Sequence, residues 1–181
     1  MIGLCFCPLA LIHRFITELT ALAERGHNFA PESARKIIKE RLAVGLSPRP
    51  EPVSFALEVL SANIDKYRKA DSGCYTFFDR GVLDALYMLN AENALTQKQA
   101  EQYIHDFSYN RTVFLLPPWK DIYVTDAERD QTFEQAVEVY EGMKKWYLQW
   151  GYEVLEVPRS PVEKRVSFIL EVVGNTLTTA R

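Results

Sequence analysis

At 181 residues, with 48% hydrophobic and 25% charged side chains, the chain has a globular composition, unlike that of a disordered, fibrous or membrane-embedded protein. Its 21 basic and 24 acidic side chains give a formal net charge of −3. This balance excludes a global positive field that would recruit nucleic acid, so we expect no nucleic-acid partner. The length fits a single domain over residues 1–181.

The cysteines and histidines form no metal-binding pattern. The chain has three cysteines, and the closest pair, Cys5 and Cys7, has a single residue between its members, unlike the usual zinc or dithiol spacings. The histidines are scattered along the chain. We therefore expect reduced cysteines in a cytoplasmic protein.

The apolar start of the chain does not have the pattern of a signal peptide. The first twelve residues lack a basic segment and run directly into a charged amphipathic stretch. No later segment has the roughly 20 consecutive apolar residues that span a bilayer. We expect neither secretion nor a membrane partner.

Apolar periodicity and turn residues predict alternating strands and helices. The predicted strands, in chain order, are 2–7, 27–30, 74–78, 112–116 and 152–158. The predicted helices are 11–25, 33–43, 53–69, 82–90, 97–107, a helix from the capping box Thr125-x-x-Glu128 to Trp150, and 162–173. Because each parallel crossover needs a helix, this order predicts an α/β fold whose parallel sheet is covered on both faces. Ligands of such sheets bind at the carboxyl ends of the strands.

The predicted aromatic strand is followed directly by Asp79, Arg80 and Gly81. A carboxylate and a guanidinium therefore lie together at the edge of the sheet where ligands bind. The aspartate is suited to bind Mg²⁺, and the arginine is suited to fork onto a phosphate. The alternative is that Asp79 caps the helix that begins near Val82, with Arg80 as its surface partner. The spacing alone does not choose between these interpretations.

Three further segments supply candidate side chains. Glu32 and Arg35 open the second helix near the same sheet edge, although a surface ion pair is the more common explanation of this spacing. Arg129 stands in a predicted first helical turn, where a cation is unfavourable to the helix dipole and would suit a phosphate instead. Trp119 follows the fourth strand and two prolines, so it could form the wall of a base or sugar pocket or simply pack in the core.

Taken together, several segments resemble one family. They are Pro31-Glu32-Ser33-Ala34-Arg35-Lys36-Ile37-Ile38, Phe78-Asp79-Arg80-Gly81-Val82-Leu83-Asp84-Ala85, Phe114-Leu115-Leu116-Pro117-Pro118-Trp119, Tyr123-Val124-Thr125-Asp126-Ala127-Glu128-Arg129 and Gly151-Tyr152-Glu153. In this order they resemble the NadR-like AAA ATPase and nucleotide-kinase family of P-loop proteins, over roughly residues 15–170.

The resemblance implies a P-loop NTPase-like three-layer sandwich, with a mostly parallel five-stranded sheet and helices on both faces. It implies that ATP and Mg²⁺ are bound and that a small nucleoside-type or nucleotide-type molecule accepts the phosphoryl group. Asp79 would be the Mg²⁺ partner and Arg129 would lie in a lid over the phosphates. Arg80 and Glu32 would face the acceptor pocket, with Arg35 and Trp119 as further substrate-binding residues.

The segment after the first strand departs from the family pattern. P-loop proteins carry Gly-x-x-x-x-Gly-Lys-Ser/Thr there, whose amides and lysine hold phosphates. Here the sequence is Cys7-Pro8-Leu9-Ala10-Leu11-Ile12-His13-Arg14, without glycine or lysine, and it cannot form the usual anion nest. One hypothesis is a frameshift or misassigned start before Phe15. The other is a degenerate P-loop domain that acts as a non-catalytic binding module.

Overall fold

The structure, a computed structural model, describes residues 2–6, 12–48, 50–70, 75–123 and 132–179. Side chains are described for all of these except residues 2–6, 12–17 and 176–179. The helices, in chain order α1 to α7, are Ile12–Glu24, Ser33–Ala43, Pro52–Lys69, Val82–Ala91, Gln97–Asp106, Phe133–Gln149 and Val162–Thr179. The strands, β1 to β5, are Ile2–Phe6, Asn28–Ala30, Thr76–Asp79, Thr112–Leu116 and Glu153–Glu156.

The chain divides into two compact units. The first contains residues 1–5 and 30–111, and the second contains residues 6–29 and 112–181. The single domain expected from the length stays a prediction.

In the first unit, β1 and β3 pair in parallel, with Ile2 opposite Phe77 and Leu4 opposite Asp79. All four residues of β3 are buried, as expected for a parallel strand with both faces covered. Helix α3 packs against α2 and α4, and α5 packs against α4. The buried apolar residues of α3 and α4 face this core, and they include Phe55, Val59, Leu60, Leu83 and Leu86.

Helix α3 begins where its sequence provides a cap and a suitable first residue. The Glu51 carboxylate accepts hydrogen bonds from the amides of Val53 and Ser54, at 3.1 and 3.0 Å. Pro52 occupies the first helical position, where its missing N–H costs nothing. The local sequence therefore sets where α3 begins. This helix carries Asn63 and Lys66, two residues of the candidate site.

In the second unit, β4 and β5 pair in parallel, with Thr112 opposite Glu153. Strand β4 is buried along its whole length. Helix α1 packs against α7, and α6 packs against β5. Leu22, Phe114, Met143 and Ile169 are fully buried members of this core.

The helices and parallel strands confirm the predicted α/β class. The boundaries of α2 and β4 are those predicted from the sequence. The strand pairs described within the two units each contain two strands, so the single five-stranded sheet stays a prediction.

The predicted start of the sixth helix differs from the structure. Helix α6 begins at Phe133, where Thr132 is the N-cap and Gln135 completes the capping box. A threonine with a suitable residue three positions later occurs at both Thr125 and Thr132, and the pattern alone ranks neither. The predicted capping box from Thr125 to Glu128, like Arg129, lies outside the described residues.

None of the helices within the described ranges is both long and apolar enough to cross a bilayer.

Candidate functional site

The candidate site begins where β3 ends, because this strand carries Asp79 to its carboxyl end. Asp79 is 9% exposed, so its carboxyl group is largely removed from water. Arg80 follows with φ of 57°, in the left-handed region that non-glycine residues rarely adopt. This turn directs the chain from the strand into α4.

Helix α4 is capped without Asp79. Its N-cap is Gly81, whose N–H donates a hydrogen bond of 2.7 Å to Oδ2 of Asp84. The N–H of Val82 donates to the hydroxyl of Tyr109 at 3.2 Å. Asp79 lies two residues before the N-cap, so the interpretation of Asp79 as a mere helix cap loses its basis.

Gly81 is required by the close approach of Tyr109. A Cβ at this position would lie 2.7 Å from Cζ and 2.8 Å from the hydroxyl of Tyr109. The Tyr109 ring cannot yield easily, because it packs edge-on against Phe78 and Tyr67, with centroids 5.2 Å apart in both pairs.

We expect Gly81→Ala to lower the free energy of unfolding by about 1–3 kcal/mol through overpacking. Urea denaturation measures this loss. Truncating the opposing ring in Gly81→Ala/Tyr109→Ala removes the clash, so a double-mutant cycle should show strong coupling between the two positions. Gly174→Ala is the matched control, because a Cβ there meets nothing within 4 Å. Equal losses in the two single glycine variants would contradict the steric account.

Arg80 pairs with Glu32. Nε of Arg80 lies 3.2 Å from Oε1 of Glu32, and the two side chains are only 11% and 17% exposed. Glu32 immediately precedes α2, so the pair connects the starts of two helices. The structure thus places Glu32, Asp79 and Arg80 together, as the sequence predicted. The ion pair seen for Glu32 is with Arg80, although the sequence also allowed one with Arg35.

A chain of buried polar groups connects α3 to the residues that follow Glu32 and Arg80. Oγ of Ser33 donates to Oδ1 of Asn63 at 2.7 Å, and Nδ2 of Asn63 donates to the carbonyl of Gly81 at 2.7 Å. Ser33 is 9% exposed and Asn63 is 1% exposed. Buried hydrogen bonds of this kind are costly to break, so they hold the starts of α2 and α4 to α3.

Lys66, a residue that the sequence analysis missed, lies against the same turn. Its ammonium donates to the carbonyl oxygens of Pro31, Asp79 and Arg80, at 3.1, 3.0 and 3.0 Å. It also lies 5.9 Å from the centroid of the Phe78 ring, at cation–π distance. The positive charge of Lys66 therefore lies against the backbone that carries Asp79 and Arg80.

Burial is the main influence on the ionisation of this cluster. The pKa of Asp79 is raised to about 7, mainly by burial and next by the negative charge of Glu32, while the positive charges of Arg80 and Lys66 lower it. Burial lowers the pKa of Lys66 to about 8, against the attraction of Asp79, Asp84 and Glu32. A carboxyl group with such a pKa is well suited to gain a cation partner, because a nearby positive charge favours its ionised form.

Asp79 supplies one buried carboxylate at the end of β3. No group of three His, Cys, Asp or Glu residues able to hold a metal occurs in the described parts of the chain. Mg²⁺ usually keeps several waters and is held by one or two carboxylates plus substrate phosphates. A single carboxylate such as Asp79 is sufficient for that arrangement.

Three further residues were predicted for this site, namely Arg35, Trp119 and Arg129. Arg35 lies in the first turn of α2 and is partly buried. Trp119 lies in the second unit, just after β4, where its Nε1 donates to Oδ2 of Asp121 at 3.0 Å. Arg129 and the segment 7–11 lie outside the described residues.

The first unit also contains an open groove of about 580 Å³ between α2 and α3. Its walls include Ile37, Arg41, Val44 and Glu58, and none of the candidate site residues contributes to it. The groove therefore does not correspond to the site at the end of β3.

Comparison with known proteins identifies the family of this chain. A family profile described as "AAA domain" matches residues 17–165, which is most of the chain. The chain belongs to this AAA-domain family of P-loop NTPases. The matched range of the AAA domain contains Glu32, Lys66, Asp79 and Arg80, and it begins after the atypical segment Cys7–Arg14.

Solved structures similar to this AAA domain include two of one kinase. Deoxyadenosine kinase from M. mycoides with bound dATP aligns with a TM-score of 0.60 at 13% identity, covering 96% of this chain and all of the kinase chain. The same enzyme with the products dCMP and a flexible dCDP aligns with a TM-score of 0.58 at 12% identity, covering 99% of this chain and all of the other. No curated protein matches the sequence. At this identity the likeness establishes a nucleotide-kinase-like fold.

Proposed function

We propose that this AAA domain is a nucleotide-kinase-like enzyme that uses ATP with Mg²⁺ to phosphorylate a hydroxyl group on a nucleoside-type or nucleotide-type small molecule. The observation that carries the proposal is the contact between Arg80 and Glu32 directly beside the buried Asp79. The likeness to a kinase solved with dATP and with dCMP and dCDP supports the class of substrate.

The side chains of the cluster match the demands of phosphoryl transfer, which are mainly alignment and charge compensation. Mg²⁺, when bound with ATP, neutralises phosphate charge. Asp79 is the residue that would hold it. The guanidinium of Arg80 is suited to the oxygens of the transferring group, since it is planar, permanently charged and offers paired donors.

Glu32 completes the reaction as the proton acceptor. The acceptor oxygen attacks the γ-phosphorus of ATP, the bond from this phosphorus to the β–γ bridging oxygen breaks, and ADP leaves. The hydroxyl proton passes to the carboxylate of Glu32. Glu32 and Arg80 form an ion pair, so the general base lies in direct contact with the phosphate-binding cation.

The remaining features of the family resemblance belong to the same proposal. They are one mostly parallel five-stranded sheet, Arg129 in a lid over the phosphates, Arg35 and Trp119 in the acceptor pocket, and a cytoplasmic location. Arg35 is near Glu32 in sequence and opens α2, which supports its assignment to the acceptor side.

A non-catalytic binding module is the second candidate function. The observation that favours it is the sequence Cys7–Arg14, in which neither a glycine nor a lysine stands where phosphates are normally held. In this case the cluster around Asp79 would persist as part of a scaffold that binds a small molecule without turnover.

The two functions are separated by a screen of nucleosides and nucleotides with Mg²⁺-ATP. Thermal shift reports binding, and mass spectrometry reports the phosphorylated product. The kinase proposal expects Mg²⁺-dependent stabilisation by ATP and a product 80 Da heavier than one acceptor, the mass of a phosphoryl group replacing a proton.

We expect Arg80→Lys to lower turnover, because an ammonium cannot replace a bidentate guanidinium.

A matched chain with Gly-x-x-x-x-Gly-Lys-Ser in place of residues 7–14 provides the control. Turnover by the natural sequence supports the kinase. Turnover only after restoration supports the binding module, since the site at Asp79 would then be intact but lack its phosphate loop. Absence of nucleotide binding in both chains would overturn the proposal.

A further inference from the structure

The ammonium of Lys66 uses its whole hydrogen-bonding capacity on backbone carbonyls just before α2 and α4. A lysine side chain has three donors, and Lys66 directs them at the backbone carbonyls of Pro31, Asp79 and Arg80, all within 3.1 Å. An ammonium that merely paired with a carboxylate would not converge on three carbonyl oxygens.

Two of these bonds determine the conformation of Arg80. The carbonyl of Asp79 belongs to the peptide plane before Arg80, and the carbonyl of Arg80 belongs to the plane after it. Fixing the orientation of both planes fixes the two rotatable backbone angles of Arg80. This matters because Arg80 has φ of 57°, a left-handed conformation that is sterically unfavourable for a non-glycine residue.

The third bond extends the same control to Glu32. The carbonyl of Pro31 lies in the peptide plane that leads into Glu32, the ion-pair partner of Arg80. One ammonium thus sets the backbone on both sides of the contact between Arg80 and Glu32. The residues that follow Glu32 and Arg80 are held by two further buried bonds, from the Ser33 hydroxyl to the Asn63 side chain and from the Asn63 amide to the carbonyl of Gly81.

We propose that Lys66 is a positioning residue, which acts through the backbone of Arg80 and Glu32 to hold their side chains beside Asp79. This inference rests on the proposed kinase function for its catalytic consequence, but the positioning itself is independent of it. Lys66 is assigned no direct contact with the reacting atoms or with Mg²⁺.

The test replaces the ammonium and follows the Arg80 side chain directly. Lys66→Met keeps the length and apolar stem of the side chain but removes all three donors. The ¹⁵N–¹H resonance of Arg80 Nε, assigned by its loss in Arg80→Lys, reports the contact with Glu32. We expect this resonance to be distinct and protected from exchange in the natural chain, and to move to the position of solvent-exposed arginines in Lys66→Met.

Two further samples separate positioning from a general loss of structure. Lys69→Met removes an exposed cation from the same last turn of α3 and should leave the Arg80 resonance unchanged. Lys66→Cys alkylated with bromoethylamine rebuilds a lysine-like ammonium and should restore the resonance. The natural chain, alkylated in the same way, controls for modification of Cys5, Cys7 and Cys74. If Lys66→Met does not fold, Lys66→Arg gives the same comparison, since a planar guanidinium cannot meet three carbonyls that surround a tetrahedral ammonium.

Kinetics supply the catalytic consequence. We expect Lys66→Met to reduce kcat on the order of 10²-fold, as for a misplaced catalytic group, with KM for ATP almost unchanged. An unmoved Arg80 resonance in Lys66→Met would overturn the positioning role. A moved resonance with unchanged kcat would overturn its catalytic consequence. An inactive natural chain whose Arg80 resonance moves in Lys66→Met would contradict the kinase function and support the positioning.

Discussion

Asp79→Asn is expected to reduce phosphoryl transfer on the order of 10²–10³-fold, because it removes the carboxylate that would hold Mg²⁺ beside the transferring group. The fold should persist, since asparagine has nearly the same size and Asp79 is not the cap of α4. Steady-state turnover at saturating Mg²⁺-ATP measures the loss. Asp65→Asn, which changes an exposed acid on α3, is the matched control and should leave turnover unchanged.

The same substitution is expected to stabilise the ligand-free protein at neutral pH. The pKa of Asp79 is about 7 in the folded chain, against 3.8 for an ordinary aspartate. Between these values the folded chain keeps a proton that the unfolded chain has released, so stability falls as pH rises through this window. Asparagine cannot ionise, so Asp79→Asn does not lose this stability. The loss in the natural chain amounts to at most about 4 kcal/mol of the free energy of unfolding.

Urea unfolding of both proteins at pH 4 and pH 7.5, without nucleotide, measures this difference. Asp79→Asn should match the natural chain at pH 4 and exceed it at pH 7.5. A difference independent of pH would contradict the buried-carboxyl account, whereas retained turnover would separately contradict the Mg²⁺ role.

Arg165→Met is expected to destabilise the second unit by about 3–5 kcal/mol, because it removes one member of a buried ion pair and leaves the other, Glu18, buried. Nη2 of Arg165 lies 2.6 Å from Oε1 of Glu18, and the two side chains are 3% and 0% exposed. The pair joins α1 to α7, whose packing forms much of this unit. Denaturant unfolding measures the loss.

The double variant Glu18→Leu/Arg165→Met should recover most of this stability, since apolar replacements of a buried pair are often neutral or better. Glu163→Gln is the matched control. It removes the partner of Arg25 in an exposed pair, with side chains 37% and 75% exposed, and should cost no more than about 1 kcal/mol. A small loss in Arg165→Met, similar to that of Glu163→Gln, would contradict the assigned importance of burial.

Much of the fold could be predicted because most elements are defined by local signals. The helix Ser33–Ala43 and the strand Thr112–Leu116 match their predicted bounds, since each has a clear apolar pattern and flanking residues that stop it. Helix α6 begins later than predicted, at Phe133, because Thr132 carries the same capping signal as Thr125 and the local pattern does not rank the two positions.

The candidate site was predictable to the extent that its residues are adjacent in sequence. Asp79 and Arg80 follow a recognisable strand, and Glu32 precedes a recognisable helix. Lys66 was missed because its contact with the carbonyl of Pro31 joins residues 35 apart in the chain. One signal was present: Asn63 and Lys66 continue the buried stripe of Val59 along α3, and a polar residue on such a stripe requires polar partners.

The left-handed backbone of Arg80 places opposed demands on this position. Glycine would adopt the conformation without steric cost, whereas the arginine side chain supplies the ion pair with Glu32. Arg80→Gly would therefore relieve the backbone and remove the ion pair, so its two effects on the free energy of unfolding oppose each other.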